Sequence, residues 1–407
     1  MRTLFKMAWR NLWRNKRRTL ITMASVFLAV FLALVMRSFQ LGSYRKMTED
    51  VVRSYSGYIQ IHAQAYWDNK TLDYSFEPVD SLTLLLRSIS GVTGLIPRLE
   101  SFALASGLEQ TKGILVVGID PDAEDVLTGL SRRVVQGRYL AIEESGVLVA
   151  EKLAQFLKVT VGDTLVLLSQ GYHGVSAANK YPIMGVVHFA APQLNSQLVY
   201  MTLCSCQEFF GAQARITSLA LDLQKPEETD LITAQLRRIL PAAEYEVMPW
   251  HEMQVELVQQ IDMDNASGLF LLGILYMIVT FGIFGTLMMM VNERHREFGV
   301  MLALGMRRKR LLGMITIETA ILSLLALLCG IAASVPIIYH FTHHPVRLSG
   351  EVGEAMVNYG FEPVFPFLFE FPVFLHQALL IGILTALAAL YPFISIRRMS
   401  IVRALHG

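Results

Sequence analysis

The sequence predicts an α-helical membrane protein with four transmembrane helices and a large extracytoplasmic α/β (α+β) domain between helices 1 and 2. Three observations predict it. Hydrophobic residues make up 53% of the 407 residues and charged residues only 17%, against about 25% charged in an ordinary soluble domain. Four apolar stretches are long enough to cross a bilayer, which takes about 20 helical residues. Between the first and second of them, residues 41–265 read as alternating strand and helix patterns.

Residues 1–18 hold Arg2, Lys6, Arg10, Arg14, Lys16, Arg17 and Arg18 and no acid. Phe5, Trp9, Leu12 and Trp13 recur at helical spacing, with cations largely on another face. This pattern suits a helix in the cytoplasmic interface, anchored by Trp9, Arg10, Trp13, Arg17 and Arg18; the alternative is a continuous extension of the first span. The first span occupies residues 19–40. The second, 266–291, has no charge between Asp264 and Glu293 and as a helix would be about 39 Å long. The third, 311–339, is interrupted only by Glu318, and the fourth covers 371–396.

Charge orients the chain. The 292–310 segment carries Arg294, Arg296, Arg307, Arg308, Lys309 and Arg310, and the 397–407 tail carries Arg397, Arg398 and Arg403. Residues 37–265 instead hold 18 Lys/Arg against 27 Asp/Glu, and the 340–370 loop is also acidic. Both termini and 292–310 are therefore expected in the cytoplasm, and 41–265 and 340–370 outside it. The predicted location is the bacterial inner membrane.

In 41–265, strand-like runs fall at 57–62, 113–119, 146–149, 164–168, 181–187, 198–202 and 218–223. Helical runs fall at 78–90, 152–157, 227–240 and 252–263. Ser169–Lys180, rich in Gly, Ala and Ser, reads as a hairpin tip.

No catalytic chemistry stands out. There is no phosphate-binding loop, G-x-S-x-G or H-E-x-x-H pattern, and the three cysteines and the His343-His344 pair have no metal-ligand spacing. No catalytic or metal residue is assigned, and no nucleic-acid partner. Two features remain. The segment Asn292–Arg310 has charged ends around an apolar middle (Phe298, Val300, Met301, Leu302, Leu304) that needs a groove to bury it, in a partner or among its own helices. Glu318 lies two turns inside a span, where an ionised acid costs about 2.5–3.5 kcal/mol at mid-bilayer. It needs a helix partner, a polar cavity or the headgroups. The outer end of the second span is apolar (Leu269, Phe270, Leu272) and offers a greasy opening for acyl chains.

At these residues the chain resembles the MacB/FtsX/LolC–LolE permeases of ABC transporters. Their E-x-G-[IV]-x-x-A-[LI]-G pattern between spans two and three reads here Glu297-Phe298-Gly299-Val300-Met301-Leu302-Ala303-Leu304-Gly305, followed by Arg307 and Arg308 and later by Glu318. Ala8-Trp9-Arg10-Asn11-Leu12, the stretch from Val147 to Asp163, and Ile401-Val402-Arg403-Ala404-Leu405 are similar to the family's span entry, outer domain and tail. The resemblance implies a non-catalytic permease subunit working by mechanotransmission. A cytoplasmic ABC ATPase would dock on Glu297–Arg308 and bind ATP and magnesium, this chain binding no cofactor. It also implies a second permease copy, in a homodimer or heterodimer, and contact with membrane lipid and a periplasmic chaperone or adaptor. The layout is similar to the lipoprotein-releasing branch. Efflux of amphiphiles, or FtsX-like regulation of an envelope enzyme, are the alternatives.

Overall fold

The computed structural model describes residues 2–14, 16–107, 110–189, 191–351, 353, 364–388 and 390–398. The chain divides into two compact units: residues 1–45, 260–346 and 364–407 form one, and 46–259 with 347–363 the other.

In the first unit, four helices have the length and apolarity to cross a membrane. Their main bodies are Lys16–Val51, Val255–Glu293, Arg308–His343 and Phe371–Ala388. An unsatisfied polar group in hydrocarbon costs several kcal/mol, and the span hydroxyls avoid that cost locally. Thr280, Thr286, Thr316, Thr319, Ser323 and Thr385 each donate to the carbonyl four residues earlier. A shared core joins the helices through Val30 and Leu34, Leu287 and Met290, Met314 and Ile315, and Phe374 and Ile381. The first and third helices pack closely at Gly330, where a Cβ would lie 2.7 Å from Val30 Cβ; only a residue without a side chain permits that contact. Arg37 ties the first helix to the second, donating to Gln40 and, at 2.7 Å, to Asn265. The carboxylate of Asp264 accepts from the Tyr44 hydroxyl at 2.6 Å.

The second unit is built on a ten-stranded mixed sheet. Its strands are β1 (Ile59–Ala63), β2 (Val92–Ser106), β3 (Thr111–Ile119), β4 (Val134–Gly137), β5 (Val147–Ala150), β6 (Thr164–Gln170), β7 (Ser176–Val187), β8 (Leu198–Thr202), β9 (Ser218–Leu223) and β10 (Tyr245–Pro249). The order is β10-β1-β9-β2-β3-β8-β5-β7-β4, with β6 set between β2 and β7. Strands β5 and β8 are buried along their whole length, as continuous apolar runs in covered sheets must be.

Strand β2 is shared by two lobes. Its first half, Val92–Arg98, pairs with β9, and its second, Arg98–Ser106, pairs with β3. Helices Asp80–Ser88 and Thr229–Ile239 cover the first lobe through Leu86, Ile232 and Leu236. Helices Glu151–Leu157 and Leu203–Phe210 cover the second through Leu153, Leu157 and Phe210.

At the changeover, Arg98 is fully buried. It makes a two-pronged contact with the equally buried Glu124 at 2.7 and 2.8 Å and also donates to the Tyr55 carbonyl. Glu124 is carried there by the helix Pro121–Thr128. Asp120 caps that helix by accepting from the Asp122 and Ala123 amides, and Gly129 ends it in the left-handed region. The order Asp-Pro at the start and Gly at the end is a complete set of helix signals.

Two readings of the sequence change here. Ser169–Lys180 is not all hairpin tip: the β6–β7 ladder runs to the Gln170–Ser176 pair, leaving residues 171–175 as the turn. Backbone ladder bonds are indifferent to the Ala and Ser side chains that mark a loop in sequence. Strands β2, β4 and β10 have no counterpart among the strand-like runs; in β2, Gly94, Pro97, Arg98 and Glu100 interrupt the alternation.

Removing one partner of a buried ion pair costs about 3–5 kcal/mol, whereas replacing both by apolar groups is often neutral. Glu124→Ala should therefore lower the thermal stability of the outer unit strongly. The double variant Arg98→Met/Glu124→Leu should recover most of the loss. Equal destabilisation of single and double variants in thermal unfolding would show that the stranded charge is not the cause.

Candidate functional site: the segment between the second and third membrane helices

The second membrane helix ends at Glu293, and a separate short helix runs from His295 to Ala303 before the third begins at Arg308. The short helix stops by a full Schellman arrangement. The Gly305 amide donates to Leu302 O and the Met306 amide to Met301 O, with Gly305 at φ +93°. No atom crowds a Cβ at Gly305, so the constraint there is the left-handed backbone itself.

The apolar middle of the segment is split between two environments. Phe298 and Leu302 are buried in the core of the first unit beside Leu311 and Met314, and Gly299 is buried with them. Val300 is 42% and Leu304 83% exposed, and Ala303, Gly305, Arg307 and Arg308 are exposed too. The segment's own neighbours thus answer half of its need for burial and leave an outward apolar edge followed by cations. Arg308 donates to the Arg397 carbonyl.

The polar side chains form a chain of ion pairs. Arg14, at the end of the N-terminal helix Arg2–Arg14, contacts both oxygens of Glu297 at 2.7 Å. Glu297 also accepts from Arg294 Nε at 3.2 Å, and Arg294 Nη1 reaches Glu318 at 3.0 Å. Arg294 and Glu318 are both buried. Glu318 thus has a helix partner, and its cost in the span is offset by a paired guanidinium. The Arg294 guanidinium also lies 5.1 Å from the Phe298 ring centroid, which couples the polar chain to the packed face. Hydrogen bonding from Arg14 holds the Glu297 carboxyl below its usual range. A depressed carboxyl adds stability that is present above the ordinary value near 4.3 and lost as pH falls through the folded value. Because Glu297 is 46% exposed, that contribution is screened and small.

The other residues singled out in the sequence lie elsewhere. Trp9 and Trp13 are half exposed and in edge contact at 6.1 Å, and Arg10 and Arg17 are exposed. The inward residues of that helix are Ala8 and Leu12. The side chain of Arg18 and the stretch Ile401–Leu405 lie outside the described residues. Leu269 and Phe270 are exposed, and Leu272 is buried. A helix turns 100° per residue, so consecutive apolar residues cannot all share one face. Sequence reading missed the role of Arg14 and Arg294. The available signal was Arg294, three residues before Glu297 and at a helix break.

A double-mutant cycle should separate the two links of the chain. Arg294→Ala and Glu318→Gln should be non-additive by about 0.5–3 kcal/mol. Arg14→Ala and Glu297→Gln, an exposed pair, should be coupled by less than about 1 kcal/mol. Thermal unfolding of the solubilised full chain measures both. Additivity at Arg294 and Glu318 would mean that the buried link carries no coupling.

Comparison with known proteins bears on the family of the chain. The model of the MacB-like periplasmic core domain matches residues 19–239. The model of the FtsX-like permease C-terminal region matches residues 269–401. The lipoprotein-releasing system transmembrane protein LolE of Haemophilus influenzae is 22% identical over 317 residues, covering 75% of each chain. An ABC transporter permease protein of Mycobacterium tuberculosis is 23% identical over 346 residues, 79% of this chain but only 37% of that protein. Among solved structures, the periplasmic region of MacB from Actinobacillus actinomycetemcomitans is similar over 51% of this chain and 95% of its own, with a TM-score of 0.36 and 14% identity. The extracellular domain of the ABC-type transporter YknZ from Gram-positive bacteria covers 47% of this chain and 98% of its own, with a TM-score of 0.34 and 15% identity. Matched from its first membrane helix through its outer domain to its last helix, the chain belongs to the MacB/FtsX/LolC–LolE family of ABC transporter permeases.

Proposed function

We propose that this permease couples a separate cytoplasmic ATPase to the extraction of an amphipathic cargo from the envelope, and that the cargo is a lipoprotein. The observation that carries the coupling role is the two-sided helix His295–Ala303. One face is locked into the membrane unit by Phe298 and Leu302, and the other presents Val300 and Leu304 outward. An exposed Leu at the end of an anchored helix gives a partner groove an apolar knob to grip. The cations from Arg307 to Arg310 beside it favour the cytoplasmic side of the membrane. The ATPase would bind ATP and magnesium and perform the hydrolysis. This chain would transmit the movement, through Glu297, Arg294 and Glu318, into the third span. Family membership favours a pair of permease subunits around that ATPase, in a bacterial inner membrane.

The cargo reading rests on the membrane unit and on the relative named for lipoprotein release. The spans spend their hydroxyls on their own backbone, so they offer little to a hydrophilic solute crossing between them. The second span instead exposes Leu269, Phe270, Met277, Ile278 and Phe281, a surface suited to acyl chains.

Leu304→Asp should leave the fold intact, since the side chain is 83% exposed, while cutting stimulation of the partner ATPase at least tenfold. Gly305→Leu should do the same by misplacing the end of the helix. Full stimulation with both variants would refute docking at this edge. Depletion of the protein should leave lipoproteins in the inner membrane. Normal lipoprotein sorting with lost resistance to an amphiphilic antibiotic would replace the cargo reading by efflux.

A further inference from the structure

The outer unit holds a cleft of about 470 Å³ whose lining includes Tyr66, Trp67, Lys70, Glu100, Phe102 and Met253. This is within the size range of sites that enclose a small ligand. Its lining mixes aromatic and apolar side chains with polar ones, Ser56, Gln60 and Gln254 among them, and Phe102 is 60% exposed.

The polar floor is out of balance. Glu100 Oε1 is shut off from solvent and accepts no hydrogen bond among the described residues. Burial raises the Glu100 carboxyl, with the Arg98 charge and a hydrogen bond from Tyr55 pulling the other way. Arg98 is already committed to Glu124 by two hydrogen bonds, so two carboxylates share one buried guanidinium. The neighbouring cation, Lys70, is exposed, with its ammonium 4.2 Å from the Trp67 ring centroid. His62, stacked on Tyr66, is pushed down to about 4 by burial and adds no positive charge at neutral pH. Glu256 at the rim adds another negative charge. A carboxylate oxygen left without a donor is costly, and a cation seated in the cleft beside Glu100 offsets that cost through its charge.

We infer that this cleft binds an amine- or guanidinium-bearing amphiphile, its cation directed to Glu100 and its apolar body against Phe102, Leu115 and Met253. A free small molecule and a basic side chain of a partner protein share this chemistry. The inference does not depend on the cargo of the transporter.

The test uses the full chain in nanodiscs of zwitterionic lipid, with binding followed by titration calorimetry. The probes are 4-phenylbutylamine, the uncharged 4-phenylbutanol, and the blocked tripeptide acetyl-Phe-Lys-Leu-amide. The amine should bind saturably, at least tenfold more tightly than the alcohol. Glu100→Gln should weaken the amine at least tenfold and leave the alcohol unchanged. Phe102→Lys, which sets a competing cation on an exposed position, should abolish amine binding even where Glu100→Gln perturbs folding. Tighter binding of the tripeptide than of the amine assigns the site to a protein partner, and the reverse order to a free amphiphile; either supports a cation site. Equal binding of amine and alcohol, absence of binding by all three probes, or amine binding unchanged in Phe102→Lys would overturn it.

Discussion

A guanidinium taken out of water must be met by a carboxylate in good geometry, because either ion left alone costs several kcal/mol. Both units of this permease are organised around that constraint. In the outer unit, Arg98 marks the residue at which β2 leaves β9 for β3, and Glu124 reaches it from a helix capped at both ends. In the membrane unit, Arg294 occupies the break between two helices and reaches Glu318 inside a third. Each pair joins separate elements at a point where the backbone changes its regular partner. A purely apolar contact in either place would tolerate sliding, since dispersion is non-directional. The two-pronged pair at Arg98 fixes angle as well as distance.

What the sequence made legible follows the same division. Four spans, a mixed α/β outer domain and a special segment before the third span can all be read from apolar run length, alternation and charge. Those signals arise from transfer free energy, which depends on composition along the chain. Strand β2 and the role of Arg294 could not be read that way. Polar and turn residues break the alternation of β2, the Arg294–Glu318 pair spans 24 residues, and a lone Arg in a sequence looks the same whether it meets solvent or a carboxylate. Glu318 could be recognised as needing a partner from its place in a span, but the identity of that partner needed the fold. The apolar middle of 298–304 was legible as a demand for burial. Only the geometry shows that Phe298 and Leu302 are satisfied internally while Val300 and Leu304 are not. Helical periodicity likewise turns Leu272 inward while Leu269 and Phe270 face out.

The arrangement around His295–Ala303 bears on how a push could travel under the proposed coupling. A helix of nine residues is too short to be stable by itself in water, so its shape depends on what it is fastened to. It is fastened on three sides: by Phe298 and Leu302 to the bundle core, by Glu297 to Arg14 of the N-terminal helix, and by Arg294 to Glu318 of the third span. The Schellman bonds close the last turn of the helix at Gly305. Under the proposed coupling, a force on Leu304 would act on this fastened helix and would reach the third span through Arg294 at Glu318, one turn beyond the packed Met314, where the side chain is buried and ion-paired. An element with exposed knobs, a rigid body and a buried charged end is what a lever between a soluble motor and a membrane helix requires, and each of the three properties here belongs to different residues.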